Sequence, residues 1–279
     1  MVSRAQTYKN QSLAFKLIKA AIDMIRYLDI PAVHIKREAS PNCSKMIFYD
    51  NAGYKELSYQ PLETFYSGRT HGARLVRITE EFYECALDVV RKYFILEEPV
   101  NKAVGMQWTD ELRELWLSSF RLHLSIAAVN EVDGDIMAIR TTRITRKTDF
   151  VDPGTFQNQG LKRLFLIFNH CDQKADFFNR FGITEALHFY GLGCADKYQH
   201  QGLASKLFKA AIDMVRYLDI PDVYITGEAT SNYSKKIYEN AGFVELFEQS
   251  FATFKVKGEV VVPNTGIHKS MKKYGLKAT

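Results

Sequence analysis

At 279 residues, 46% hydrophobic and 25% charged, the chain has the composition of a soluble globular protein with apolar residues for a normal core. No apolar run reaches the roughly eighteen residues a membrane span needs. The net charge of +5 is only mildly basic, and its lysines crowd one end (Lys269, Lys272, Lys273, Lys277). Residues 261–279 therefore read as a solvated basic tail, with neither a nucleic-acid nor a membrane partner expected. Cys43, Cys85, Cys171 and Cys194 have neither metal-ligand spacing nor scaffold density. Reduced thiols, no metal and a cytoplasmic location are the expectation.

The first element in chain order is a repeat. Residues 16–31 read KLIKAAIDMIRYLDIP and residues 206–221 read KLFKAAIDMVRYLDIP, differing only at Ile18/Phe208 and Ile25/Val215. The match extends, with one extra residue in the first copy, to Phe65 and Phe254. The basic amphipathic N-terminus is thus a duplicated element, not a targeting peptide. Residues 1–66 form a partial copy that lacks the upstream strands and is too short to bury much apolar surface. Ser12 and Lys9 stand in it where the second copy has Gly202 and Gln199, so ligand binding by the front copy is not expected.

Residues 70–260 read as one complete domain. Leu75–Ile78 alternate as a strand, and Glu80–Phe94 have helical periodicity with acids early and bases late, ended by Pro99. Thr109 caps a helix running through Trp116. Leu124–Val129 and Ile136–Ile144 are strands joined at Val132-Asp133-Gly134-Asp135, an Asp-Gly turn with two positive φ angles. A helix over Leu161–Phe168, a buried strand over Ala186–Cys194, a helix over Ser205–Leu218, a strand over Val223–Thr226, a helix over Ser231–Asn240 and a strand from Phe243 follow. This order describes an α/β fold with helices on both faces of a mixed sheet.

The most informative segment is Leu192-Gly193-Cys194-Ala195-Asp196-Lys197-Tyr198-Gln199-His200-Gln201-Gly202-Leu203-Ala204. A buried strand feeds a loop with a glycine, then a helix N-terminus, where free N–H groups and the helix dipole favour phosphate. Gln199, Gly202 and Ala204 fill the pattern Q/R-x-x-G-x-G/A, and this segment resembles the acetyl-CoA loop of the GNAT superfamily of N-acetyltransferases. Asn232, Tyr238, Gly242 and Phe243 resemble that family's second signature. The resemblance implies a GNAT-type, mostly antiparallel sheet flanked by helices on both faces. It also implies acetyl-CoA as cosubstrate, held by Leu192, Gly193, Cys194, Gln199, His200, Gln201, Gly202, Leu203, Ala204 and Asn232.

A narrower resemblance is to insect-type arylalkylamine N-acetyltransferases, on Glu97-Glu98-Pro99-Val100-Asn101 and on Thr230-Ser231-Asn232-Tyr233-Ser234. It implies a small primary amine as the other substrate, with a protein lysine or N-terminus as the alternative acceptor, or a CoA-binding protein without turnover. An alkylamine has a pKa near 10.4, so freeing its lone pair at neutral pH costs about 4 kcal/mol and calls for a base. Glu98, or Glu97 beside it, is the candidate base. Tyr238 and Ser234, one helical turn apart, are candidate proton donors to the departing thiolate, with Thr230 beside them. His123 and His188 read as satisfied strand residues.

Overall fold

The computed structural model describes residues 34–38, 45–49, 73–217 and 221–279. In the first two stretches, β1 (His34–Glu38) and β2 (Lys45–Tyr49) pair antiparallel. The rest of the front copy, Lys9 and Ser12 included, lies outside the described residues.

From β3 (Ala73–Arg77) onward the chain builds a seven-stranded sheet. A 3-10 turn leads into α1 (Tyr83–Val89), which runs on as a π-helical stretch to Ile95. Pro99 does more than end that helix. It opens α2 (Pro99–Val104), where a missing N–H costs nothing, and Glu98 becomes the N-cap. Thr109 caps α3 (Asp110–Phe120) by accepting the Leu112 N–H at 3.3 Å. The hairpin of β4 (Ile126–Asn130) and β5 (Ile136–Arg146) is present. Its turn has positive φ at Gly134 but not at Asp133, and a bulge at Ala128/Val129 takes up the difference.

Asn158 caps α4 (Gln159–Ala175) through the Gly160 and Leu161 N–H groups. Next come α5 (Phe177–Phe181), β6 (Glu185–Cys194), α6 (Leu203–Tyr217), β7 (Tyr224–Ala229), α7 (Asn232–Asn240) and β8 (Val244–Ser250). A small pair, β9 (Lys255–Val256) and β10 (Glu259–Val260), precedes β11 (Ser270–Lys277).

The sheet order is β3-β4-β5-β6-β7-β11-β8, with every pair antiparallel except β6–β7. On one face Leu207, Phe208, Ala211 and Val215 of α6 and Tyr238 of α7 pack with Ile126, Met137 and Phe189. On the other, Ala86, Trp116, Phe120, Leu161 and Ile167 pack with Val129 and Ile139. The fold is the expected mostly antiparallel α/β sandwich.

Residues 261–279 overturn one expectation. They are no solvated tail, because β11 lies between β7 and β8 with Met271 and Tyr274 fully buried. Its lysines meet carboxylates from distant segments: Lys272 with Glu245 at 2.8 Å, Lys277 with Asp222 at 3.0 Å, and Lys273 with Asp172 at 2.5 Å and with Glu228. A run of lysines reads as solvated only until the fold brings acids to it. The cysteines also differ from expectation in part. Cys171 and Cys194 are free, whereas Cys85 is disulfide-bonded.

Candidate active site

The site begins where the sheet opens. β6 and β7 pair only from Leu187–Phe189 to Ile225–Gly227. Beyond Phe189, β6 runs on against β5 alone, and Tyr190 is the extra residue of a bulge opposite Thr141/Thr142. A bulge bends its strand, and here the two parallel strands part. A cavity of about 680 Å³ lies in the opening. Among the described residues, no strand pairs with the β7-side edge of β6 over Leu192–Cys194.

One wall is the loop and N-terminus of α6. Gly202 has φ +74°, a left-handed conformation that glycine adopts without strain. The first helical bond runs from the Lys206 N–H to the Gly202 carbonyl at 3.1 Å. The amides of Leu203, Ala204 and Ser205 precede it and have no helical acceptor, which makes this end a seat for an anion. Leu192, Cys194, Gln199, His200, Gly202, Leu203 and Ala204 all line the cavity. Gln199 also braces the loop, donating to the Cys194 carbonyl at 3.2 Å and to Asp196 at 2.9 Å.

Three expected ligand contacts lie elsewhere. Gly193 alternates to the opposite face, toward Ile139, Phe94 and Val89. Gln201 donates to the Lys197 carbonyl at 3.0 Å. Asn232 ties the last turn before β11, through its side chain to the Ile267 carbonyl at 3.2 Å and its N–H to His268 Nδ1 at 3.0 Å.

Across the opening, Glu98 enters the cavity from the cap of α2. Its carboxylate accepts from the Asn101 N–H and from Thr230 Oγ1, each at 2.7 Å. Burial raises its pKa from the usual carboxylate range, and those donors oppose the shift without cancelling it. Glu97 is exposed at the rim and paired with Lys102 at 2.6 Å. Tyr93, Phe94, Trp116, Phe168 and Tyr190 give the same cavity an aromatic lining. The Trp116 and Tyr190 rings are 5.0 Å apart.

Tyr238 and Ser234 both line the cavity but differ in what holds them. Ser234 completes a capping box at the start of α7. Its Oγ accepts the Ser231 N–H at 3.1 Å and donates to the Ser231 carbonyl at 3.0 Å. Tyr238 is buried, stacked on Tyr274 at 4.9 Å, and its hydroxyl reaches the Phe189 carbonyl at 3.3 Å. Gly227 makes room for it, since a Cβ there would lie 2.0 Å from the hydroxyl. Burial pushes the Tyr238 phenol up to about 12, against the pull of Arg140, so it is protonated at neutral pH.

Three lining residues were not anticipated. Arg140 of β5 is buried, its guanidinium 4.1 Å from the Phe189 ring centre and 4.9 Å from that of Phe208. Glu228 of β7 is buried with one oxygen 2.6 Å from His188 Nε2 and the other on Lys273. Burial alone would raise its pKa, but His188 and Lys273 outweigh that and hold it below the usual range. His188 is thus a satisfied strand residue, as expected. His268 is buried at the mouth, with Nδ1 occupied by Asn232. Burial first, and Lys235 second, lower its pKa, which fits a neutral ring accepting that N–H.

With this geometry the comparison with known proteins is direct. Residues 151–258 match the family model of the acetyltransferase (GNAT) domain. Over residues 151–258 the chain carries a GNAT acetyltransferase domain. Solved structures similar to it include arylalkylamine N-acetyltransferase 2 from Aedes aegypti, at 22% identity and a TM-score of 0.68, covering 74% of this chain and 99% of that one. A mosquito arylalkylamine N-acetyltransferase like 5b is 16% identical with a TM-score of 0.66, covering 73% and 99%. The Drosophila melanogaster polyamine N-acetyltransferase, which catalyses formation of N-acetylagmatine, is 16% identical with a TM-score of 0.64, covering 74% and 99%. The GNAT domain here shares their fold. Among the described residues, no helix is long and apolar enough to cross a membrane.

Proposed function

We propose that this GNAT domain is an acetyl-CoA-dependent N-acetyltransferase acting on a small primary arylalkylamine. The observation that carries the reading is Glu98, a carboxylate anchored by Thr230 and Asn101 inside an aromatic cavity, across the opening from the buried Tyr238. The residues present suit acetyl-CoA. The free amides of α6 and the left-handed Gly202 fit a diphosphate, and the unpaired edge of β6 fits an amide-bearing arm. Bound acetyl-CoA supplies an acyl carbon activated as a thioester.

The side chains divide the remaining work. Glu98 takes the proton from the ammonium, directly or through one water, and its raised pKa makes it a better base than a solvated carboxylate. The amine and thioester meet between α2 and β6, so much of the acceleration comes from holding them together. The N–H groups around Cys194 face the acyl oxygen, and Tyr238 gives a proton to the departing sulfur. Ser234 and Thr230 hold α7 and Glu98 in place.

The lining also favours an aromatic monoamine over a diamine. Glu97 is paired with Lys102 and Glu228 with His188 and Lys273, and Asp196 lies exposed in the loop before α6, on the wall assigned to the cosubstrate, which leaves Glu98 for the reacting nitrogen. A second cation would be stripped of water among aromatic rings. Thiol release from acetyl-CoA would be measured with dopamine, serotonin, tryptamine, agmatine, spermidine and a lysine peptide. Turnover confined to the arylalkylamines is the expected result. Agmatine or spermidine turned over as well as tryptamine would replace this reading with the polyamine one. Acetyl-CoA binding without release to any amine would argue for a protein that binds CoA without turnover.

A further inference from the structure

Arg140 presents a puzzle of its own. It projects from β5 into the layer beneath α6, only 2% exposed, and its Nε and Nη2 atoms have no hydrogen-bond partner. Unpaired buried guanidinium N–H groups are costly, and most buried cations sit against a carboxylate. The nearest acid, Glu228, already has its oxygens on His188 and Lys273. What Arg140 does have is the face of two aromatic rings, one of which, Phe208, lies 4.8 Å from the Tyr238 ring, and a place in the cavity wall where its charge bears on the Tyr238 hydroxyl. That hydroxyl is loosely held. Its bond to the Phe189 carbonyl is 3.3 Å, beyond the usual range for O–H···O, so the hydrogen can turn toward the cavity.

We propose that Arg140 is the positioning residue that makes Tyr238 an acid, holding the phenol oxygen and balancing the negative charge it acquires on giving up its proton. The inference rests on reading the domain as an acetyl-CoA-dependent transferase. As the C–N bond forms and the C–S bond breaks, the electron pair of that bond stays on sulfur. The sulfur takes the Tyr238 proton. Glu98 passes the ammonium's proton to water before attack and then holds the second proton, which the nitrogen sheds once it is bonded to carbon; Tyr238 is reprotonated from water once product leaves. Burial raises the phenol to about 12 even against the pull of Arg140, and without that cation it would be a still poorer donor. Arg140, lowered by burial to about 10, is still a cation at neutral pH. The other charged groups that bear on the Tyr238 hydroxyl are Glu228 of β7 and Lys273 of β11, which pair with each other, while α6 and β6 present the Phe208 and Phe189 rings.

The same chain of donors, Arg140 to Tyr238 to sulfur, should hold the thiolate of free CoA. This gives a test independent of the amine. Affinities of the full chain for CoA and for desulfo-CoA would be measured by calorimetry between pH 6.5 and 9. In the wild type, CoA should gain about tenfold over desulfo-CoA as the thiol ionises, the signature of a bound thiol pKa lowered by about one unit. Arg140→Met should abolish the gain without lowering the melting temperature, and Arg140→Lys should restore part of it. Tyr238→Phe should lose it too, which keeps the test open if Arg140→Met fails to fold. A gain in Arg140→Met or in Tyr238→Phe equal to the wild type's would overturn the inference. Failure of the wild type to bind either ligand would overturn the acetyl-CoA reading, and this inference with it.

Discussion

Thr230→Val is the perturbation that most directly tests how Glu98 is kept ready as a base. Valine has nearly the shape of threonine, and Thr230 is half-buried, so packing is largely conserved. What is lost is the 2.7 Å hydrogen bond from Oγ1 to Glu98 Oε1. A hydrogen bond to a charged group contributes about 1.5–3 kcal/mol. Glu98 would keep the Asn101 N–H and the burial that already disfavours its ionised form. The ionised fraction on the acid limb should fall by about tenfold to a hundredfold, since 1.4 kcal/mol is a factor of ten. The sign follows from the pKa. Because Glu98 is raised in the fold, ionising it costs stability as pH climbs above the ordinary carboxylate range, and the variant should lose stability in that same direction. The assay is kcat/KM for thiol release from pH 5.5 to 9 with the best amine, beside melting curves at the same pH values. The deficit should be largest at low pH and close as pH rises. An equal deficit at every pH would mean that Thr230 touches substrate, and no deficit would remove Glu98 as the base.

Three more predictions concern the frame around the site. A chain ending at residue 266 lacks β11 and leaves β7 and β8 without their shared neighbour, so circular dichroism should show no cooperative unfolding; a normal melt would return that segment to the status of a tail. Lys273→Met leaves Glu228 buried with only His188 against it and should cost about 3–5 kcal/mol by denaturant unfolding. Since Glu228 is held below its ordinary 4.5, its ion pairs stabilise fully above that pH and fade as pH falls below it. That acid sensitivity should shrink in the variant, and an unchanged acid limb would count against the pairing. Gly202→Val forces a β-branched residue into φ +74°, costing about 1–2 kcal/mol, and should weaken desulfo-CoA binding in calorimetry. Unaltered affinity would mean that the loop does not carry the diphosphate.

Much of the site could be read in the sequence where its logic is local. Gln199, Gly202 and Ala204 mark a turn into a helix and Thr109 stands at a cap, while Glu98 was singled out by the resemblance carried by Glu97–Asn101, not by its cap position. Arg140 and Lys273 were invisible because no local pattern marks them. Each is a charged residue inside a strand, and its meaning depends on partners from other strands or helices: Phe189, Phe208 and Tyr238 for Arg140, Asp172 and Glu228 for Lys273. His268 was lost with the supposed tail. The insertion of β11 between β7 and β8 is a non-local fact, and no periodicity within 261–279 announces it.

The choice between Ser234 and Tyr238 as proton donor shows what geometry adds to a motif. A serine hydroxyl has one hydrogen to give. Ser234 has partners for it within the turn, the Ser231 carbonyl and hydroxyl, each at 3.0 Å, so giving it to sulfur would forfeit such a bond. Tyr238 gives up only a weak 3.3 Å bond and sits beside a buried cation. The proposed acid is therefore the tyrosine, and the two truncations should separate. Ser234→Ala should cost about 0.5–2 kcal/mol of stability through the lost cap, with a smaller loss of kcat. Tyr238→Phe should leave melting nearly unchanged and reduce kcat by about a hundredfold or more, the usual scale for a positioned acid. Measured side by side, the reverse pattern, with Ser234→Ala folded but slow and Tyr238→Phe active, would reassign the proton to the serine.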